Sequence, residues 1–378
     1  MEEDKEKESE QNDDPSSHHR RRRHHHHHHS SGKRRKRRSK RKTKKRVKRI
    51  VIITVSAILS LVLIAAAIVF SMYIRGKDSM KQNNGQIKIP QSLGVEQSGD
   101  YIYYKNGKYK YNRDVTSILF LGVDKYVSTE EDKENGENHQ SDVIALCAID
   151  SANKKVTIIN VPRDIMTDVS VYSPGGGYVG RERMQIALAY AYGDGKKTSC
   201  INSSEAVARL FYNIPINTYF SMNLDGVQEI NDSIGGVSVV SPETIGNFEK
   251  GKEYYLKGWD SRQFIYLRDK SKLNSNLLRN ERQKVYLNAF IKKFISATKK
   301  DVSTAVKLFR ASSPYSCTNL DADKITYLAT EFVVNRNMEY NILSVPVEVK
   351  QEGKEAQNIV KEEEFFESFL KIFYNKVE

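Results

Sequence analysis

Cysteine is scarce in this 378-residue chain: there are three, Cys147, Cys200 and Cys317, and a single tryptophan. Three cysteines without C-x-x-C spacing exclude a disulfide scaffold and give no structural-zinc pattern, leaving room for at most one disulfide. Catalytic signatures are missing too. The sequence has no G-x-S-x-G elbow and no H-E-x-x-H helix, and Gly175-Gly176-Gly177 lacks the Gly-Lys-Ser/Thr of a nucleotide phosphate loop. No repeat of 20 to 50 residues is present. An excess of charge is also absent from most of the chain. Of the 61 Lys+Arg and 47 Asp+Glu behind the formal charge of +14, residues 1–49 hold 20 and 8, so residues 50–378 carry 41 against 39. The part able to fold is nearly neutral, and its net charge gives no reason to expect nucleic-acid binding.

What is present falls into blocks. Residues 1–49 run from acidic, through a His/Arg tract, to Lys33–Arg49 with 14 basic residues in 17, a composition that buries no apolar area and reads as a disordered cytoplasmic tail. The tract His24 to His29 followed by Ser-Ser-Gly looks like a purification tag or a natural low-complexity run, and is set aside. Ile50 to Ile74 contains 25 residues without a charge, roughly 37 Å as a helix, enough to cross the hydrocarbon layer. A cleaved signal peptide usually has a shorter apolar core. Lys and Arg beside a span stay in the cytoplasm, so everything beyond residue 75 is expected outside. The basic block also suits the anionic inner leaflet.

A polar linker is predicted from Lys77 to Ser98, completing with a hairpin the segment 75–111; Tyr101 to Tyr111 alternates about Asn106-Gly107. Beyond it, one three-layer α/β domain with a mixed sheet is expected over 112–378. Strands are predicted at Ser117–Val123, Val143–Ile149, Lys155–Val161, Thr218–Met222, Val237–Val240 and Ile342–Val345. Helices are predicted at Met184–Tyr192, Ser204–Tyr212, Asp225–Ile234, around Leu287–Ile295, at Asp321–Val334 and at Glu362–Tyr374.

Three places put charge beside apolar strands. Asp124 ends one strand and Asp142 begins the next; two carboxylates at one sheet edge suit a hard cation such as Mg²⁺, and equally suit turn or helix caps. Val161-Pro162-Arg163-Asp164 follows a strand, where an arginine fork matches phosphate and a plain Arg–Asp pair is the alternative. The third is Arg268 with Arg279, Arg282 and Gln283. Arg279 and Gln283 are four apart, so they share a helix face, and the group reads either as an anion clamp or as a solvated charged face.

Taken together, SILFLGVD (117–124), QSDVIAL (140–146), KKVTIINVPRDI (154–165), AYAYGDG (189–195), NIPINTYFSMNLDGVQEINDSIGGVSV (213–239) and LKGWDSRQFIYLRDK…SNLLRNERQ (256–283) resemble the LytR-CpsA-Psr family of membrane-anchored cell-wall phosphotransferases. The resemblance implies transfer of a glycopolymer from a polyprenyl-pyrophosphate carrier to peptidoglycan outside the cell, assisted by Mg²⁺ or Mn²⁺. It also implies that Asp124 and Asp142 are the metal-linked aspartates, that Arg163 is the arginine of the Pro-Arg-Asp motif, and that Arg268, Arg279, Arg282 and Gln283 form the pyrophosphate clamp. Arg163 and Arg268 join the two aspartates as the expected catalytic group. The family usually has Arg at position 140, Arg at 270 and Asp at 276, where this chain has Gln140, Lys270 and Asn276. Those departures keep open a second reading, a non-catalytic lipid-phosphate-binding or regulatory membrane protein. A transcriptional regulator is disfavoured, because no DNA-reading motif accompanies the basic segment.

Overall fold

The computed structural model describes residues 31–81, 87–123, 140–173, 175–269, 271, 275–301, 303–335, 337–352 and 355–377. The chain divides into two compact units, 1–66 and 67–378. Helix α1 (Ser31–Lys81) is the one helix among the described residues long and apolar enough to cross a membrane. It starts well before the apolar run. The basic stretch from Ser31 to Arg49, predicted to be disordered, is helical because Lys and Arg are good helix formers and lengthening an existing helix avoids the cost of nucleation. The tract His24 to His29 lies outside the described residues.

The second unit begins with three short antiparallel strands, β1 (Glu96–Ser98), β2 (Tyr101–Tyr104) and β3 (Gly107–Tyr111). Then come β4 (Val115–Val123), β5 (Ser141–Asp150), β6 (Lys155–Asn160), the hairpin β7 (Met166–Tyr172) and β8 (Tyr178–Gln185), helix α2 (Lys197–Leu210) and strand β9 (Thr218–Asn223). Helix α3 (Val227–Ser233), the hairpin β10 (Val237–Val240) and β11 (Glu253–Leu256), and helices α4 (Trp259–Tyr266), α5 (Ser275–Lys300) and α6 (Ser303–Ser312) follow. The chain closes with β12 (Ser316–Thr318), α7 (Ala322–Val334), β13 (Glu339–Ser344), the hairpin β14 (Val347–Glu352) and β15 (Glu355–Val360), helix α8 (Glu362–Phe373) and β16 (Tyr374–Lys376).

Six strands build the central sheet in the order β12-β9-β4-β5-β6-β13. Pairing is parallel at β9–β4 and β6–β13 and antiparallel elsewhere. The sheet is mixed, as predicted. Strands β4 and β5 read as nearly continuous apolar runs because both faces are covered. Leu119, Leu121, Ile144, Leu146 and Ala148 enter a core with α2 and α8, whereas Ile118, Cys147 and Ile149 face Tyr327 of α7 and Met80 of α1. Period-two alternation assigns the two sets to opposite faces. Helix α8 contributes Phe365, Phe366, Phe369, Leu370 and Phe373, all buried, each worth about 1.5–3 kcal/mol of apolar burial. A third cluster joins α3, β10, β11, α4 and α5 around Phe264 and Tyr286.

Three local predictions need correction. The segment from Lys77 is no free linker: α1 continues to Lys81, Met80 is buried, and Ile87, Ile89, Leu93 and Val95 pack on the main core. There the α1 backbone passes so close to α7 that a Cβ on Gly76 would lie 2.1 Å from the Asp323 carbonyl oxygen, and Arg75 donates to both carboxylate oxygens of Asp323 at 2.7 and 3.1 Å. In the hairpin, the turn residues are Lys105 and Asn106, both at positive φ, and Gly107 already pairs with Tyr104; this two-residue geometry suits a right-twisted ribbon. Finally, Met184–Tyr192 is not a helix. Strand β8 runs through Gln185 and a single 3₁₀ turn, Ile186–Ala189, follows.

Candidate active site

Antiparallel register brings the first two charged motifs together. Ala145 pairs with Asn160 in the β5–β6 ladder, and the Val161 amide still donates to the Ile144 carbonyl at 2.9 Å. Continuing the same register beyond the ladder sets Asp142 opposite Arg163, one on the entry to β5 and one on the exit from β6. The Arg163 guanidinium donates through Nη1 to Asp142 Oδ1 and through Nη2 to Gln140 Oε1 at 2.5 Å. Its Nε lies 3.4 Å from Asp164 Oδ1. The buried 3₁₀ turn braces this edge: the Ala187 amide donates to the Arg163 carbonyl at 3.1 Å, and Ser141 Oγ donates to the Ala187 carbonyl at 3.4 Å.

A second guanidinium arrives from 137 residues away. Arg279, in the second turn of α5, donates through Nη2 to Asp142 Oδ2 at 3.2 Å. The Asp142 side chain is 4% exposed, while those of Arg163 and Arg279 keep 19% and 14%. A nearly buried carboxylate thus sits between two arginines that still reach the surface. Opposite charge so placed fixes both forks in orientation.

Arg282 points the other way. It is wholly buried, donating through Nε to the Phe264 carbonyl at 2.8 Å and through Nη1 and Nη2 to Glu243 and the Leu267 carbonyl. Burial lowers its proton affinity and the Glu243 carboxylate opposes that. Gln283, also buried, donates to the Ile265 carbonyl at 3.5 Å. Arg282 and Gln283 thus direct donors to the C-terminal end of α4 and to Glu243, tying α4 to α5. The predicted share of a helix face by Arg279 and Gln283 does not make them partners, because Gln283 is turned to the protein. Arg268 follows the anchored Leu267 and is exposed. Its position is therefore set from behind by Arg282.

Asp124 and Lys270 lie outside the described residues, and Asn276 falls within α5. Among the described residues no group of three or more His, Cys, Asp or Glu is assembled for a metal. Both oxygens of Asp142 accept from arginine. One such carboxylate fits Mg²⁺, which takes one or two protein carboxylates and fills its shell with water and substrate phosphate. It does not fit a cation that needs an all-protein cage. Sequence reading missed Glu243, the partner of Arg282, which no spacing or motif connects to position 282. It also missed Arg262, whose guanidinium lies 5.1 and 5.2 Å from the ring centroids of Trp259 and Tyr266 and 3.1 Å from Asp225.

These features define an α/β/α domain in which two arginines frame a nearly buried carboxylate at one edge of a mixed sheet, preceded by a helix of membrane-spanning length. The LytR-CpsA-Psr family profile matches residues 68–369, and the chain belongs to that family. Curated relatives include the polyisoprenyl-teichoic acid–peptidoglycan teichoic acid transferases TagU of Oceanobacillus iheyensis, 27% identical over 64% of this chain and 69% of that one, and TagV of Bacillus subtilis, 26% identical over 48% and 44%. Among solved structures, a Streptococcus agalactiae protein superposes with a TM-score of 0.54 at 19% identity, covering 68% of this chain and 86% of that one. The structure of B. subtilis TagV gives 0.50 at 23%, covering 68% and 95%. At these identities the structures speak to fold alone.

Proposed function

We propose that the chain is a membrane-anchored phosphotransferase that moves a glycopolymer from a polyprenyl-pyrophosphate carrier onto peptidoglycan outside the cell. The observation that carries this reading is the Arg163–Asp142–Arg279 arrangement, in a family whose relatives are named as transferases of a polyisoprenyl-linked polymer to peptidoglycan. A pyrophosphate diester carries two negative charges. Arg163, Arg279 and Arg268 against Asp142 and Asp164 leave one positive charge in the protein, so a further cation closes the difference.

In the proposed reaction a peptidoglycan sugar hydroxyl attacks the sugar-side phosphorus of the carrier, and polyprenyl phosphate leaves. Such a transfer asks for positioning and charge neutralisation more than for a protein nucleophile, which agrees with the missing catalytic signatures. Arg163 and Arg279 hold the phosphate oxygens with planar forks, Arg268 neutralises the leaving phosphate, and Asp142 orients both forks. Arg282 and Gln283 keep the loop bearing Arg268 in register. Asp124 and Asp142 would hold Mg²⁺ or Mn²⁺, which supplies Lewis-acid stabilisation of phosphoryl oxygens when bound. The basic block at the start of α1 would set the N-terminus in the cytoplasm and the domain outside.

One observation favours the rival reading of a binding or regulatory protein: Gln140 accepts from Arg163 at 2.5 Å at a position where the resemblance implies a further positive charge. Incubating the purified full-length chain with a lipid-linked glycan, peptidoglycan fragments and Mg²⁺, followed by mass analysis, separates the two. Glycan-bearing peptidoglycan supports the transferase; tight lipid binding without product under any metal supports the rival.

A further inference from the structure

The single tryptophan of the chain and a nearby tyrosine stand outside the arginine site, and both face solvent. Trp259, the first residue of α4, is 56% exposed, and Tyr255, on the outer face of β11, is 59% exposed. Isolated exposed rings are ordinary on a protein surface. These two differ in being held. The Tyr255 hydroxyl donates to the Gly235 carbonyl, and the ring lies over Gly236, where a Cβ would come within 3.0 Å of Cζ and Oη. Gly236 has a φ of +86°, so both its conformation and the ring above it call for glycine. Behind Trp259 sits Arg262, bracketed by Trp259 and Tyr266 and ion-paired with Asp225. Each ring is thus fixed by the protein on one side and open to water on the other.

A carboxylate completes the neighbourhood. Asp232 Oδ1 accepts from the Gly258 amide at 2.8 Å, fixing the residue before Trp259, and the Asp232 carbonyl accepts from the Gly235 amide at 3.0 Å. One residue therefore ties the backbone beneath both rings. Asp232 Oδ2 accepts no hydrogen bond among the described residues. Apart from its chain neighbours, a Cβ on Gly258 would meet only that oxygen, at 3.8 Å, so the surface in front of Gly258 is open. The charges beside the rings are Lys257 against Asp232 and Asp260, because Arg262 is answered by Asp225. A surface that leans acidic does not attract phosphate, nucleic acid or anionic lipid. It suits an uncharged polyhydroxyl ligand: the C–H face of a pyranose is apolar and packs on the negative face of an aromatic ring, while hydroxyls at its rim donate to a carboxylate.

We propose that Tyr255, Trp259 and Asp232 form a binding site for an uncharged chain of linked pyranose sugars. Naming that chain as the acceptor glycan rests on the transferase reading; the site itself does not. Because the rings are fixed before a ligand arrives, little side-chain freedom is lost on binding. Two stacking rings engage more of an oligomer than of a single sugar, so the site favours length as well as sugar chemistry. Helix α4 links this surface to the phosphate chemistry. It is roughly 12 Å long, begins at Trp259, and is followed at its other end by Leu267 and Arg268. A polymer held on the rings thus lies one short helix from the arginine assigned to the leaving phosphate, and Arg282 keeps that helix end in place.

All tryptophan emission from the full-length chain comes from Trp259, which makes the test direct. Titration with a hexamer of β-1,4-linked N-acetylglucosamine should change that emission saturably, with a midpoint about tenfold below that of the monomer. Affinity for insoluble peptidoglycan, read by co-sedimentation, should fall about tenfold in Trp259→Ala and in Tyr255→Ala, and less in Trp259→Phe, which keeps a ring. A wild-type thermal midpoint in Tyr255→Ala and Trp259→Phe shows that the loss is not one of folding. Emission unmoved by the hexamer, or retention of both alanine variants equal to that of the wild type, overturns the proposal. A stronger response to dextran sulfate than to the hexamer overturns it as well. So does emission that shifts with protein concentration while sugar has no effect, which gives the surface to a second copy. Saturable binding lost in both alanine variants, in a chain that transfers no glycan, supports the site and overturns only the transferase reading.

Discussion

Asp142 has both carboxylate oxygens turned to guanidinia, so replacing it changes its neighbours as much as itself. In Asp142→Asn the shape remains but Arg163 and Arg279 lose the charge that holds them a few ångströms apart. Turnover is expected to fall at least tenfold, with the Mg²⁺ response flattened, and Asp124→Ala should act in the same direction; both variants should unfold at the wild-type denaturant midpoint. Wild-type turnover with an unchanged Mg²⁺ titration in both would make these aspartates structural. Arg279→Ala should weaken binding of a polyprenyl pyrophosphate about 10- to 100-fold, because a hydrogen bond to a charged group is worth roughly 1.5–3 kcal/mol; Arg279→Lys should recover little of it, lacking the planar fork. Titration against lipid-bearing micelles reads both. Arg282 behaves differently. Glu243→Gln strands a buried guanidinium and should cost about 3–5 kcal/mol of stability in chemical denaturation, an effect that lipid does not alter.

The contrast between Arg163 and Arg282 shows what could be read from the sequence at this scale. Arg163 and Asp142 were each legible as charge beside an apolar strand, but the reading set Asp142 with Asp124 and Arg163 with Asp164; the β5–β6 register is what joins Asp142 to Arg163. The direction in which Arg282 points was not legible. Helical spacing says that residues 279 and 283 share a face, but not whether that face meets solvent or protein, and the acid that neutralises Arg282 lies 39 residues away.

At the scale of elements, the strands were legible because a strand covered on both sides must be apolar throughout, as β4 and β5 are. Helix α8 was legible because its five buried residues recur at helical spacing above a first turn of three glutamates. Phe369→Ala there should destabilise by about 3–5 kcal/mol, visible as a lowered thermal midpoint with the site residues untouched. The failures also have causes. Met184–Tyr192 has the apolar density of a helix, but its first residues are held by the β7 ladder, where Met166 pairs with Gln185. Helix α2 begins seven residues before the predicted Ser204 because its first turns are polar, and the start is set by the Asp194 cap rather than by apolar rhythm. Asp194→Ala should cost about 1 kcal/mol by the same denaturation measurement.

For the whole molecule, the asymmetry of basic charge about Ile50–Ile74 predicts that protease added to intact protoplasts removes the domain beyond residue 75. Full protection until lysis would show the opposite orientation. The order in which the fold can close adds a constraint of another kind. Strand β16 pairs with β3, and the aromatic side of α8 fills the same core as β4 and β5, so the earliest and latest parts of this unit depend on each other. A chain emerging from the ribosome N-terminus first has no complete core to collapse around until α8 and β16 have been made. Cooperative closure of this unit therefore waits on that segment, and a chain cut before Glu362 is expected to expose the apolar side of β4 and β5 that α8 covers.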